Sequence, residues 1–195
     1  MCDGVEHCID AEVPFEIPES WGWVRLLDIA TKEIKRGKSP TYAEKGTVFV
    51  FAQKCNTKYY GVDISLAKYL DEKAFAKYPK SEYLTDMDII VNSTETGTLG
   101  RIGLYTEHDN SDNITLVPDS HVTIVRTSVV SAKYIYYVLL TYQKYLEESG
   151  EGSTKQKELK PDTIKSLFIP IPPLAEQHRI VAKINELLPI IGKLK

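Results

Sequence analysis

The spacing of apolar positions changes several times along the chain, and each change predicts an element. Residues 47–52, Thr-Val-Phe-Val-Phe-Ala, form a β-branched and aromatic run that predicts a buried strand. Residues 88–91, 114–118 and 121–126 predict further strands, the last two joined by a turn through Pro118, Asp119 and Ser120. A strand is also predicted within residues 17–26, where Trp21 and Trp23 share one face and serve packing before base stacking. Residues 27–34 predict a short helix or turn. A helical period appears in residues 66–78, with Leu66, Tyr69, Leu70 and Phe75 on one side and Lys and Glu outside. It returns after Ser131, an N-cap, and runs to Glu147 with Tyr134, Ile135, Val138, Leu139, Tyr142, Tyr145 and Leu146 on the apolar face. The tyrosines of that helix have the spacing of a packing face.

The last pattern is composite. Residues 167–173 interleave apolar residues with prolines, which fix φ and lack an amide donor, so an extended connector or edge segment is predicted. Pro173 and Glu176 then suit the first turn of a helix. Leu174, Val181 and Leu188 recur every seven residues, with Ile184 and Ile191 between and beyond them, and such a stripe predicts a partner helix. Pro189 and Gly192 predict a kink or interruption near its end.

Composition narrows the class. With 195 residues, 43% of them hydrophobic, the chain can bury one sizeable core with a small appendage. No apolar run is long enough to span a bilayer and the first residues lack signal-peptide character, so a cytoplasmic location is expected, with no membrane partner. Cys2, Cys8 and Cys55 form an odd set without paired spacing, which argues against a disulfide framework or a zinc site; His7 beside Cys8 reads as part of an exposed, frayed terminus. Residues 1–12 read as a polar leader. A formal net charge of −3 argues against a non-specific nucleic-acid coat but leaves room for local basic surfaces.

Four polar clusters interrupt the apolar pattern. Lys35, Arg36 and Lys38 surround Gly37, offering charge-assisted bonds to phosphate and a backbone amide able to approach an anion, although a solvated basic turn is the ordinary reading. Gln53, Lys54, Asn56 and Lys58 follow a strand; Gln and Asn match adenine in the major groove, and Lys suits guanine or phosphate. Asn92, Ser93, Thr94, Thr96, Thr98 and Arg101 lie in a hydroxyl- and glycine-rich loop, with Glu95 able to accept from cytosine or to repel phosphate. Thr154, Lys155 and Gln156 occupy a loop that suits backbone or base contacts, or a flexible linker.

Catalytic signatures are missing. A DNA methyltransferase needs an Asn/Asp-Pro-Pro-aromatic tetrapeptide and a Gly-rich cofactor loop, and Pro172-Pro173 has neither flank. No G-x-G-x-x-G or Gly-Lys-Ser/Thr phosphate loop is present. A metal-dependent nuclease, built from Pro118-Asp119 and Glu158-Leu159-Lys160, is a remote alternative because the second element has no strand character. The four histidines are scattered and define no nucleophilic triad. No catalytic residue, cofactor or metal is expected.

Residues 169–181, Ile-Pro-Ile-Pro-Pro-Leu-Ala-Glu-Gln-His-Arg-Ile-Val, resemble the conserved segment of the specificity subunits of type I restriction-modification systems. Ile17-Pro18 with Trp21 and Trp23, Arg36-Gly37 with Pro40, residues 88–101, and Gly152-Ser153-Thr154 with Leu159 resemble further segments of the same recognition domains; Glu95 departs where that family often has Gly. The resemblance covers most of residues 13–191. It implies an α+β (mixed α/β) target-recognition domain with a twisted β-sheet and packed helices over 13–150, a connector at 151–173 and a conserved coiled-coil-type helix from 174. It also implies that the basic loop meets DNA, that the chain reads half of a bipartite double-stranded target, and that methyltransferase and restriction subunits assemble on it. A full specificity subunit has two such domains. This chain has room for one, so a fragment, or a half-subunit that pairs with a second recognition domain or a second copy, is expected. The alternative class is a protein-interaction scaffold with solvated loops, mildly favoured by the acidic net charge.

Overall fold

The computed structural model describes residues 12–58, 61–153 and 156–192. In chain order its elements are β1 (Gly22–Arg25), α1 (Leu26–Ile29), β2 (Val48–Phe51), β3 (Lys68–Tyr69), α2 (Glu72–Phe75), β4 (Ile89–Asn92) and β5 (Ile102–Leu104). They continue with β6 (Thr115–Pro118), β7 (Val122–Val125), α3 (Ala132–Thr141), α4 (Gln143–Glu148), β8 (Glu151–Ser153), β9 (Gln156–Glu158), α5 (Pro161–Lys165), β10 (Phe168–Ile171) and α6 (Leu174–Gly192). The strands form sheets of order β3-β2-β6, β5-β4-β7, β1-β10 and β8-β9. This is a mixed α+β fold. Among the described strands only β2 and β6 pair in parallel; the turn at Pro118–Ser120 carries the chain from one sheet to the other instead of closing a hairpin.

β4 explains why residues 89–91 are continuously apolar. Side chains alternate across a strand, and here both faces are covered: Ile89 and Val91 enter the largest core with Leu26, Ile102, Val125, Ile135, Leu139 and Ile169, while Ile90 enters a second core with Phe51, Leu116, Val122 and Ile124. Leu159, Ile164, Leu167 and Ile169, from the stretch expected as a connector, are buried in the largest core, so this stretch packs as part of the body.

The proline-rich segment is the extended strand predicted for it. Pro170 of β10 lies opposite Trp23 of β1. Trp23 packs edge-on against Phe15 and Phe168, a packing role as expected. Tyr134 and Tyr142 donate their hydroxyls to Pro170 O and Phe168 O, both at 2.7 Å, so two tyrosines of the α3 region serve as struts to β10. Ser131 caps α3 by accepting from Tyr134 N at 3.3 Å, and the predicted helix divides at Tyr142 into α3 and α4.

Two expectations are corrected. Residues 66–78 do not form one helix: Lys68 and Tyr69 pair with Val50 and Phe49 as an edge strand, and only Glu72–Phe75 is helical, started by Asp71, which accepts from Ala74 N at 3.0 Å. Sheet pairing overrides the local period. α6 also runs through Pro189 to Gly192 without interruption. Along it Val181 and Ile184 are half-buried, whereas Leu174 and Leu188 are about half exposed at 51% and 50%; Ile191 lies in its last turn. Gln177, only 2% exposed, fastens the helix start: it accepts from Ser131 N and donates to Pro172 O, both at 2.9 Å. Glu176 accepts from the Trp21 indole at 3.2 Å.

Candidate nucleic-acid interface

The parallel register of β2 with β6, and the antiparallel register of β4 with β5 and β7, bring several loops to one end of the two three-stranded sheets. Residues 53–58 follow β2, residues 93–101 join β4 to β5, and residues 119–121 join β6 to β7. The β8–β9 hairpin is docked beside them: Glu95 N donates to Lys157 O at 3.2 Å and Leu159 N to Ser93 O at 2.8 Å. Residues 36–38 bridge to Thr123 and Asp119. All four polar clusters of the sequence therefore converge, although Thr154 and Lys155 lie outside the described residues; Gln156 opens β9 opposite Ser153.

Gly37 joins two of these segments. Its amide donates to Val122 O at 3.0 Å, and a Cβ at this position would lie 2.2 Å from Pro118 O. The amide expected to approach an anion is thus committed to the fold, and the glycine is there because two backbones meet. The neighbouring cations are engaged as well. Lys35 Nζ lies 2.6 Å from Glu33 Oε2 and 3.2 Å from Glu82 Oε1, Arg36 Nη1 lies 3.1 Å from Glu158 Oε2, and Lys38 Nζ donates to Lys77 O at 2.8 Å. Burial pushes the Glu82 carboxyl up, but the hydrogen bonds and charges of Lys32 and Lys35 outweigh it and hold the group below its usual range.

Asn56, Asn92, Ser93 and Thr94 were expected to face DNA; the structure corrects this. Asn56, Asn92 and Ser93 are fully buried and Thr94 is 6% exposed. Asn56 Nδ2 donates to Asn92 Oδ1 at 3.1 Å and to Arg101 O at 3.2 Å, while Asn92 Nδ2 donates to Gln53 O at 3.1 Å. The Ser93 and Thr123 hydroxyls share a hydrogen bond of 2.8 Å, and Thr94 Oγ1 pairs with His121 Nδ1 at 2.6 Å. These side chains satisfy backbone groups where the strand ladder stops, which interior polar groups must do. They support the face without reaching it.

The remaining predicted residues stand at or near the surface. Lys54, Lys58 and Thr96 are exposed, and Gln53 and Thr98 are half-buried. Thr98 Oγ1 donates to Thr94 O at 3.1 Å. Arg101 clamps two loops, with Nη1 donating to Asn56 O at 2.9 Å and Nη2 to Gly97 O at 3.1 Å, beside a cavity lined also by Thr57, Lys58, Gln143 and Glu147. Lys54, Lys58 and Lys157 form no ion pair among the described residues.

Sequence reasoning missed Lys157, which stands next to a chosen cluster, and saw Asp119 only as a turn residue and as part of the remote nuclease alternative. Asp119 is 1% exposed; its Oδ1 accepts from His121 N at 2.8 Å and its Oδ2 has no partner. Burial pushes its carboxyl up to about 6, with the charge of Glu95 adding to the rise and His121 opposing it. Burial likewise pushes the Cys55 thiol behind the loops up to about 11. Among the described residues no group of three or more His, Cys, Asp or Glu is placed to hold a metal ion, and no helix is long and apolar enough to cross a membrane.

Fold and loop cluster together define an α+β domain that presents loops at one end of its sheets and carries a long C-terminal helix. The chain belongs to the family described as the type I restriction modification DNA specificity domain, which matches residues 18–192. It is 25% identical over 199 residues to the type I restriction enzyme EcoEI specificity subunit of Escherichia coli, covering 95% of this chain and 32% of that protein. Against the EcoAI specificity subunit of the same organism it is 23% identical over 190 residues, covering 95% and 31%. In fold it is similar to the HsdS subunit from Thermoanaerobacter tengcongensis, with a TM-score of 0.67 at 19% identity over 94% of this chain and 41% of that one. The chain spans about a third of the length of these curated relatives.

Proposed function

We propose that this chain is a non-catalytic DNA target-recognition module of a cytoplasmic type I restriction-modification system, reading about half of a bipartite duplex target. The observation that carries this reading is the convergence of four polar segments from distant parts of the sequence onto one face, with Lys54, Lys58 and Lys157 free of ion pairs among the described residues. Unpaired cations release counterions from phosphate, while neighbouring amides and hydroxyls read base edges. Gln53, Lys54, Lys58, Thr96, Thr98 and Lys157 are the contact residues of this reading. Lys35, Arg36, Lys38 and Arg101 contribute second, because each must first leave a partner it already holds.

On α6, the half-exposed Leu187, Leu188 and Ile190 support the helix as the seat of a partner helix, from a second recognition domain or a second copy. Methyltransferase and restriction subunits assemble on the resulting pair. The test is selection of duplexes from a randomised pool at two salt concentrations, with the methyltransferase subunit present. Recovery of a short defined sequence supports the function. Salt-sensitive retention without a sequence, or no retention, refutes it; the latter favours the interaction-scaffold alternative.

A further inference from the structure

Glu95 sits at the centre of the loop cluster with φ of +70°, a left-handed conformation that a glutamate adopts at a cost. Three backbone hydrogen bonds hold it there: its amide donates to Lys157 O at 3.2 Å, and its carbonyl accepts from Thr98 N at 3.1 Å and Leu99 N at 2.9 Å. Its side chain is exposed and forms no ion pair among the described residues. An unpaired carboxylate on a face that approaches phosphate adds electrostatic repulsion to the backbone cost. Glycine would avoid both. A side chain that carries two penalties at the middle of a reading surface gains most from a donor it meets only in the complex.

The groove offers a limited choice of donors. Adenine presents its N6 amino group beside the N7 lone pair, which repels a carboxylate, whereas cytosine presents the N4 amino group with no acceptor of its own alongside. Building on the DNA-reading function above, we propose that Glu95 is a specificity-determining residue that accepts a hydrogen bond from cytosine N4 in the major groove. Nearby Thr94 and His121 are tied to each other, Asp119 is buried and the exposed Glu158 is paired with Arg36, so Glu95 supplies an exposed carboxylate without an ion pair among the described residues.

The test is duplex selection from a randomised pool with the wild-type chain, Glu95→Gln and Glu95→Gly, alongside thermal melting of each. The wild type is expected to select cytosine at one position. Glu95→Gln shifts that position toward adenine, whose N6 and N7 match an amide, and Glu95→Gly removes the preference with a loss of about tenfold in discrimination, other positions being retained. Glu95→Gly melts no lower than the wild type, because glycine accepts the positive φ. An unchanged site in both variants overturns the assignment while leaving the DNA-reading function intact, and so does uniform weakening at every position with a lower melting temperature. If the wild type selects no sequence, the underlying function fails and the assignment falls with it.

Discussion

Replacing Asp119 by Asn should stabilise the protein at neutral pH and do so less as the pH falls. The carboxyl is 1% exposed, one of its oxygens lacks a partner, and burial raises its pKa from 3.8 to about 6. The folded state therefore holds this proton more tightly than the unfolded chain does. Between about 4 and 6 the unfolded chain binds fewer protons at this site, so the site's contribution to stability declines as pH rises and is fully unfavourable above about 6. A shift of about two units at about 1.36 kcal/mol per unit sets an upper limit of about 3 kcal/mol. Asn keeps an oxygen for the His121 amide and carries no charge. Urea denaturation at pH 7.5 should show a gain of about 1–3 kcal/mol for Asp119→Asn, falling to roughly half at pH 5 and largely gone near pH 4. His121 and Glu95 also act on the site, so the profile should be repeated with Glu95→Gln, which should lower the wild-type penalty slightly. A variant that is less stable by the same amount at every pH would refute the reasoning, since the carboxylate would then be a structural acceptor and not a buried charge.

Asp88→Asn should cost about 3–5 kcal/mol in the same assay, because it breaks the paired 2.7 Å bonds to Arg126 Nε and Nη2 and leaves the guanidinium without its buried counter-charge. Asn92→Ala removes hydrogen bonds to Asn56 and Gln53; a loss of about 2–4 kcal/mol is expected from the groups left unsatisfied, with weaker DNA retention at temperatures where the fold persists.

Much of the fold was legible because local composition and long-range packing agree. The strand at Val48–Phe51 and the Ser131 cap are where the patterns put them, and the prolines of residues 167–173 forced the extended strand that pairs with β1. The failed helix at 66–78 shows the limit: Tyr69 and Leu70 have helical spacing, but β2 needed an edge partner and Asp71 was placed to start a helix only afterwards. The site was legible as a set of loops and not as a set of contacts. A polar residue that ends a strand inside the body, such as Asn92, looks in sequence like one displayed outside it. Gln177 was likewise read as part of a family segment, and its buried hydrogen bonds to Ser131 and Pro172 became visible only with α3 and α6 in place.

The basic loop carries a more general consequence. Lys35, Arg36 and Lys38 stand within four residues of one another in sequence and suggest a phosphate clamp, yet Arg36 meets Glu158 from 122 residues away and Lys35 meets Glu82. In a chain with net charge −3, cations that are close in sequence can each find a partner elsewhere in the fold, as Lys35 and Arg36 do, so local cation density overstates the positive field. On the proposed DNA-reading face, the cations left after internal pairing are Lys54, Lys58 and Lys157 among the described residues. Exposed pairs such as Arg36–Glu158 contribute little to stability, so they open at small cost when phosphate competes. If the proposed function holds, such an arrangement is expected to bind DNA weakly until the fit brings a phosphate to Arg36 in place of Glu158. Weak general attraction with strong fitted contact favours sequence selection, and this follows from the pairing even where no single side chain reads a base.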